Sequence, residues 1–133
     1  MLASAALVIV VLAGLFLIAL GAAALFKPGV ATAFLLGFAS TPTRHYAELA
    51  VRFIIGVALV IHAGTSAAPV AFKSFGAVLI LTTACMAFLP WRTHRAFASG
   101  SVPQALRYLP LVGAASMAGG LTMVFFATSK SAA

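Results

Sequence analysis

Not one charged side chain occurs between Met1 and Phe26, and three further runs of 18 to 22 uncharged residues follow in a chain of 133. A helix rises 1.5 Å per residue, so about 20 apolar residues match the ~30 Å hydrocarbon core of a bilayer. Spans of that length occupy most of this sequence. Hydrophobic residues make up 64 % and charged residues 7 %, against roughly 25 % charged in a soluble domain. The chain is therefore matched to lipid rather than to water. The expectation is a single all-α integral membrane domain over residues 1–133, a polytopic four-transmembrane-helix bundle with little left over for extramembrane structure.

Charges delimit the spans, because an ionised group at the bilayer centre costs at least ~2.5–3.5 kcal/mol on insertion scales. They place the helices near residues 4–26, 46–67, 71–90 and 106–127. Pro28, Pro69 and Pro90 fall at or just beyond helix ends, where a missing N–H does least harm, and Pro110 falls in the first turns of the fourth span. The first segment lacks a basic n-region and outruns the roughly 7–15 apolar residues of a signal peptide, so it reads as a retained span, although Ala22-Ala23-Ala24 offers small residues to a peptidase. The sole cysteine, Cys85, lies inside the third apolar run and has no partner for an intramolecular disulfide.

Lys27, Arg44 and Arg52 flank the first connection and Arg92, Arg95 and Arg107 the third, whereas Lys73 and Lys130 fall on the opposite side. By the positive-inside rule the first and third connections face the cytoplasm of a bacterial inner membrane, and both termini face outward. The stretch from Gly64 to Pro69 is then a tight outward turn. The first connection, Gly29 to Ser40, includes Val30, Phe34, Leu35, Leu36 and Phe38, too apolar for a solvated loop. It is expected to form an interfacial helix parallel to the surface, with Arg44 and His45 at the headgroups. The third connection, Trp91 to Gln104, is more polar and carries Trp91, Arg92, His94 and Arg95, with Trp91 as an interfacial anchor. Anionic headgroups are the partners this charge distribution implies, at up to ~1 kcal/mol per cation, with Arg44, Trp91, Arg92, Arg95 and Arg107 as contacts. Nucleic acid is not a partner it implies.

A shift of 62 positions lays Ser4 on Ser66, Gly14 on Gly76, Phe26 on Phe88 and Pro28 on Pro90, and a shift of 61 lays Pro42 on Pro103. These coincidences suggest a tandem repeat, 1–62 and 63–133, whose halves share one membrane orientation about an axis along the membrane normal.

Glu48 is the only acidic residue, four after Arg44 and four before Arg52. Two readings follow. One is an intramembrane carboxylate serving as a coupling or proton site. The other, which the spacing favours, is an Arg-Glu-Arg stripe that neutralises charge at the interface while Arg52 snorkels to the headgroups. His62, in the outward end of the second span, could serve as a haem ligand only with a second axial group at its depth. Met117 and Met123 are the candidates, but methionines in such helices usually pack, so a hydrogen bond across the bundle is the plainer reading. Thr82, Thr83 and Cys85 form a modest polar strip read as packing. Gly14 with Gly21, Ala115 with Gly119 and Ser116 with Gly120 have the small-residue spacing that lets helix backbones approach. There is no phosphate loop, no HExxH, no CxxC and no Ser/His/Asp set, and one carboxylate is too few for paired-carboxylate catalysis or an oxygen-ligand Mg or Ca site. No catalytic residue, metal site or cofactor is assigned.

Phe26-Lys27-Pro28 closing the first span, Leu36-Gly37 after it, and Glu48-x-x-x-Arg52-x-x-x-Gly56 opening the second resemble small bacterial inner-membrane proteins of the DoxX-like group and its relatives, over roughly residues 10–90. The resemblance implies a four-helix bundle, and some members act as membrane partners of oxidoreductase or thiol-handling systems. The expectation is an accessory, anchoring or assembly subunit of a larger membrane complex. The alternatives are a small oligomeric transporter or channel, in which Glu48, Arg52 and His62 would be the functional polar residues, and a haem- or quinone-binding membrane anchor.

Overall fold

The computed structural model describes residues 1–38 and 40–129. Lys130, one of the cations assigned to the outward side, and the side chains of Phe38 and His94 lie outside the described residues. The described chain is helical: α1 (Leu2–Phe26), α2 (Pro28–Phe38), α3 (Pro42–Ala63), α4 (Pro69–Ala87), α5 (Trp91–Ala105) and α6 (Leu109–Thr128), the last preceded by a 3₁₀ turn, Leu106–Tyr108. Four of these are long and apolar enough to cross a bilayer.

Proline places most of the boundaries. Pro28 and Pro42 open α2 and α3, and Pro69 opens α4, each where the helix has no use for the missing N–H. Thr41 caps α3, its hydroxyl accepting the Arg44 N–H at 3.3 Å. The second span therefore begins at Pro42 and ends at Ala63 rather than running from 46 to 67, and the third runs from Pro69 to Ala87 rather than from 71 to 90. Charge alone misjudged the α3 start because Arg44 turns back out of the helix, donating to the Gly37 carbonyl and the Ser40 hydroxyl at 3.5 and 3.3 Å.

The four long helices alternate in direction. Round the bundle the order is α1, α3, α4, α6, and three of the four sides are closed: α1 on α6, α3 on α4 and α1 on α3. No comparable packing joins α4 to α6. Three glycine pairs set the closest approaches. A Cβ built on Gly21 would lie 2.6 Å from the Gly113 carbonyl oxygen, and one on Gly120 would lie 2.5 Å from that of Gly14. One on Gly76 would lie 2.7 Å from the Gly56 carbonyl oxygen. At each pair only glycine lets the backbones meet, which is the packing that association in lipid favours when no hydrophobic force draws helices together. Ser116 adds a hydrogen bond across the first interface, donating to the Leu17 carbonyl at 3.0 Å. The main core, with Ala6, Val10, Ala58, Leu59, Phe72 and Ala127, lies in the half of the bundle nearer the termini. Large apolar side chains such as Phe53, Val78, Leu111 and Phe125 point outward, an exterior suited to an apolar solvent rather than to water.

Both connections at the other end are helical, and α2 and α5 touch there. α2 does not lie free along a surface. Ala31 is buried against Ala24 and Leu109, and the Phe34 ring stands 5.8 Å from that of Phe16, a residue some 15 Å up α1 from Phe26. With no charged side chain in Pro28–Phe38, nothing holds the helix away from the body of the bundle, and it folds back along α1.

Candidate functional sites

Two groups of polar side chains join the long helices, and apart from them His45, expected at the headgroups, is buried near the start of α3. The first joins α3 to α4. Arg52 donates from Nε to Thr83 Oγ1 and from Nη2 to Thr82 Oγ1, both at 3.4 Å, and its Nη1 stands 3.5 Å from Glu48 Oε1. The hydroxyls can accept because their own protons go to carbonyls one turn back, Thr83 to Leu79 at 2.6 Å and Thr82 to Val78 at 2.8 Å. The Arg52 side chain is 32 % exposed and that of Glu48 21 %, so the pair keeps some access to its surroundings. The expected three-residue stripe does not form. Arg44 is drawn to the α2–α3 turn, and Arg52, instead of rising to the headgroups, reaches sideways to α4. Thr82 and Thr83 thus have a second task beside packing, one their sequence spacing does not reveal because it depends on the register of α4 against α3.

The second cluster lies at the opposite end, about 15 Å further along α3 from Arg52. His62 is buried. Its Nε2 is 3.1 Å from the Ala127 carbonyl oxygen, which can only accept, so Nε2 carries a proton and donates. Ala127 is in the last turn of α6, where carbonyls lack helical partners, and His62 supplies one. Thr65 Oγ1 lies 3.3 Å from Nδ1 and donates to the His62 carbonyl at 3.1 Å. The ring edge meets Phe72 at a centroid distance of 5.6 Å. Nε2 is therefore committed to Ala127, while Nδ1 faces the Thr65 hydroxyl, whose one proton lies within reach of both Nδ1 and the His62 carbonyl. Of this set the sequence pointed only to the histidine; Thr65, Phe72 and Ala127 carry no signal until the helices are assembled.

Between the clusters the bundle is filled. Val10 and Leu59 are 0 % and 1 % exposed, and the Gly56–Gly76 contact lies between the two polar groups along α3 and α4. Among the described residues no group of three or more His, Cys, Asp or Glu side chains is placed to hold a metal ion. Cys85 is exposed.

The cations form a third feature, at the end carrying α2 and α5. Lys27, Arg44, Arg92, Arg95 and Arg107 are exposed there, and Lys73 is near the start of α4 at the opposite end. Arg95 lies over the Trp91 ring, 5.9 Å from its centroid, a cation–π contact worth about 0.5–1 kcal/mol at an exposed site. Of the small-residue pairs, Gly14 with Gly21 forms one side of the α1–α6 contact, and Ser116 with Gly120 contributes to the other. Gly119, paired in sequence with Ala115, has nothing within 4 Å of its Cβ position. No known family model, curated protein or solved structure matches this chain.

Proposed function

We propose that this chain is a multi-pass bacterial inner-membrane protein acting as an accessory, anchoring or assembly subunit of a larger membrane complex. The observation that carries the reading is the filled middle of the bundle. Val10, Leu59 and the Gly56–Gly76 contact stand between the Arg52 cluster and the His62 cluster, so a polar solute has no route from one to the other through a single copy. A bundle packed through its middle is suited to act by what it touches. The DoxX-like resemblance, with its oxidoreductase and thiol-handling partners, belongs to the same reading.

Orientation is part of the proposal. With α2 and α5 at the cytoplasmic face, Arg44, Arg92, Arg95 and Arg107 meet anionic headgroups beside Trp91, and both termini are periplasmic. A transporter would need its pathway between copies. A haem anchor would need His62 Nε2 to give up Ala127. The deciding experiment is mild-detergent purification of the tagged chain from its native membrane, with native-gel mass, absorption spectrum and identification of everything that travels with it. The proposal expects a stoichiometric larger partner and no Soret band. A colourless homo-oligomer whose transport is lost in Glu48→Gln, at unchanged abundance, would replace it with the transporter reading.

A further inference from the structure

Setting α1 on α4 by 62 positions and α3 on α6 by 64 lays the Gly14–Gly120 contact on the Gly76–Gly56 contact. The buried residues of α4, Phe72, Gly76 and Thr83, fall on Val10, Gly14 and Gly21, all buried in α1, and each buried residue of α6 falls on a buried residue of α3. The α1–α6 and α3–α4 pairs are therefore two versions of one interface. Arg52 takes the place of Ser116, and Leu79 that of Leu17. Ser116 donates directly to the Leu17 carbonyl at 3.0 Å, whereas Arg52 reaches the Leu79 carbonyl through the Thr83 hydroxyl, in steps of 3.4 and 2.6 Å. Where α3 and α4 have Glu48 and Thr82, the sister interface has Val112 and Leu20. It is the more extensively packed of the two, so the ion pair is surplus to holding helices together.

The pair points into the ring. Arg52 stands about two turns before Leu59 on the same face of α3, and Glu48 about three turns before it. Leu59 belongs to the main core. Thr82 stands about two turns after Phe75, on the side of α4 that looks toward α6. Toward the termini this interior is sealed, with His62 3 % exposed. Toward α2 and α5 it is open: the side chains of Arg52 and Glu48 are 32 % and 21 % exposed. Val112, about three turns from Met123 on the same face of α6, is 52 % exposed. The result is a cup floored by Leu59 and the Gly56–Gly76 contact. Its α3–α4 wall is polar, and Lys27, Arg44, Arg92, Arg95 and Arg107 are exposed at the end where it opens.

The free groups on that wall define what it can hold. Nε and one proton each of Nη1 and Nη2 of Arg52 are engaged, which leaves one proton on each terminal nitrogen to meet an oxyanion. Glu48 Oε2 has no partner among the described residues. At 3.5 Å the ion pair is longer than the roughly 2.7–2.9 Å of a closed charge-assisted hydrogen bond, so neither charge is used up. An anion alone would meet Glu48 and a cation alone would meet Arg52, whereas a group bearing both charges satisfies each. We propose that the cup binds a small zwitterionic group, a primary ammonium joined to an oxyanion as in ethanolamine phosphate, with the oxyanion on Arg52 and the ammonium on Glu48. The group arrives either as a phospholipid headgroup or as a free solute.

The test uses the purified full-length protein in nanodiscs of equal ethanolamine, choline and glycerol phospholipids, with retained lipid counted by native mass spectrometry. A second arm uses nanodiscs of choline lipid alone and measures binding of radiolabelled O-phosphoethanolamine by equilibrium dialysis. The choline headgroup has the same charges but no N–H to give Glu48. A headgroup ligand gives ethanolamine lipid retained several-fold over both others in the first arm; a free ligand gives saturable binding in the second alone. In either case Glu48→Gln, nearly isosteric, should abolish the preference or the binding. Arg52→Ser, which copies the sister interface, should do the same with helical content and elution volume unchanged. Equal retention of the three lipids with no binding of the free solute would overturn the proposal. So would a preference for the glycerol lipid, or an ethanolamine preference that survives Glu48→Gln. No partner protein enters the experiment, so its failure and that of the accessory-subunit reading are separate events.

Discussion

At Gly21 the missing methyl group decides whether two helices touch. A Cβ there would stand 2.6 Å from the Gly113 carbonyl oxygen and 2.8 Å from the Met117 nitrogen, backbone atoms that yield only if α1 and α6 separate. Gly21→Ala is expected to cost about 1–3 kcal/mol, the range for overpacking a filled interior. Gly119→Ala, with nothing within 4 Å, should fall within about 0.5 kcal/mol of the parent. Unfolding of both variants in the same micelles checks the pair, and equal losses would refute the contact. Gly14 and Gly21 were legible as an interface because their spacing brings them round to one face. Their partners were not, since Ala115 with Gly119 and Ser116 with Gly120 have the same spacing and only the rotation of α6 separates them. At His62, truncation to Ala leaves the Ala127 carbonyl buried without its donor. A loss of about 1–3 kcal/mol is expected, seen as a lower unfolding midpoint with an unchanged absorption spectrum. Thr83→Val should cost about 0.6 kcal/mol, the average for a hydrogen bond between membrane helices, and should cost nothing further in an Arg52→Ala background, a double-mutant cycle that isolates the Arg52–Thr83 bond.

Among the elements, the long helices could be read from composition and the short ones only in part. Runs without charge mark the four long apolar helices, each long and apolar enough to cross a bilayer. Their ends depended on local chemistry instead. The Thr41 cap and Pro42 start α3 four residues before the expected position, with Arg44 folded back on Gly37 and Ser40. α2 was legible as a helix in the first connection, but its lean against α1 rests on Phe34 meeting Phe16, a contact between two separate helices, which the periodicity within either one does not report. α5 is the polar counterpart, carrying Arg92 and Arg95 beside Trp91. Single cysteines introduced in a Cys85→Ser background test which side the two kinds of connection face. Ser99→Cys, in α5, should resist a membrane-impermeant thiol reagent applied to intact spheroplasts, and Gly64→Cys, in the turn between α3 and α4, should react. The reverse pattern would invert the orientation.

For the molecule as a whole, the closed sides of the ring carry different histories along the chain. α3 and α4 are joined by a five-residue turn, Gly64 to Ala68, and can pair as soon as both are made. The glycine-to-glycine seam of α1 is closed by α6, and its Leu17–Ser116 hydrogen bond links residues separated by 99 positions. Synthesis runs from the N-terminus, so α1 emerges with its Gly14 and Gly21 face open and keeps it open until α6 has been translated. The four-helix ring is thus closed by α6. A chain stopped after residue 105 should insert, yet α1 should remain open to alternative partners and to intramembrane degradation. Co-expressing residues 106–133 as a separate segment should restore its half-life, as measured by pulse-chase. The seam that makes α1 and α6 the closest pair in space makes the first span the longest-waiting one in time, and any factor that attends this protein during biogenesis has that waiting surface to hold.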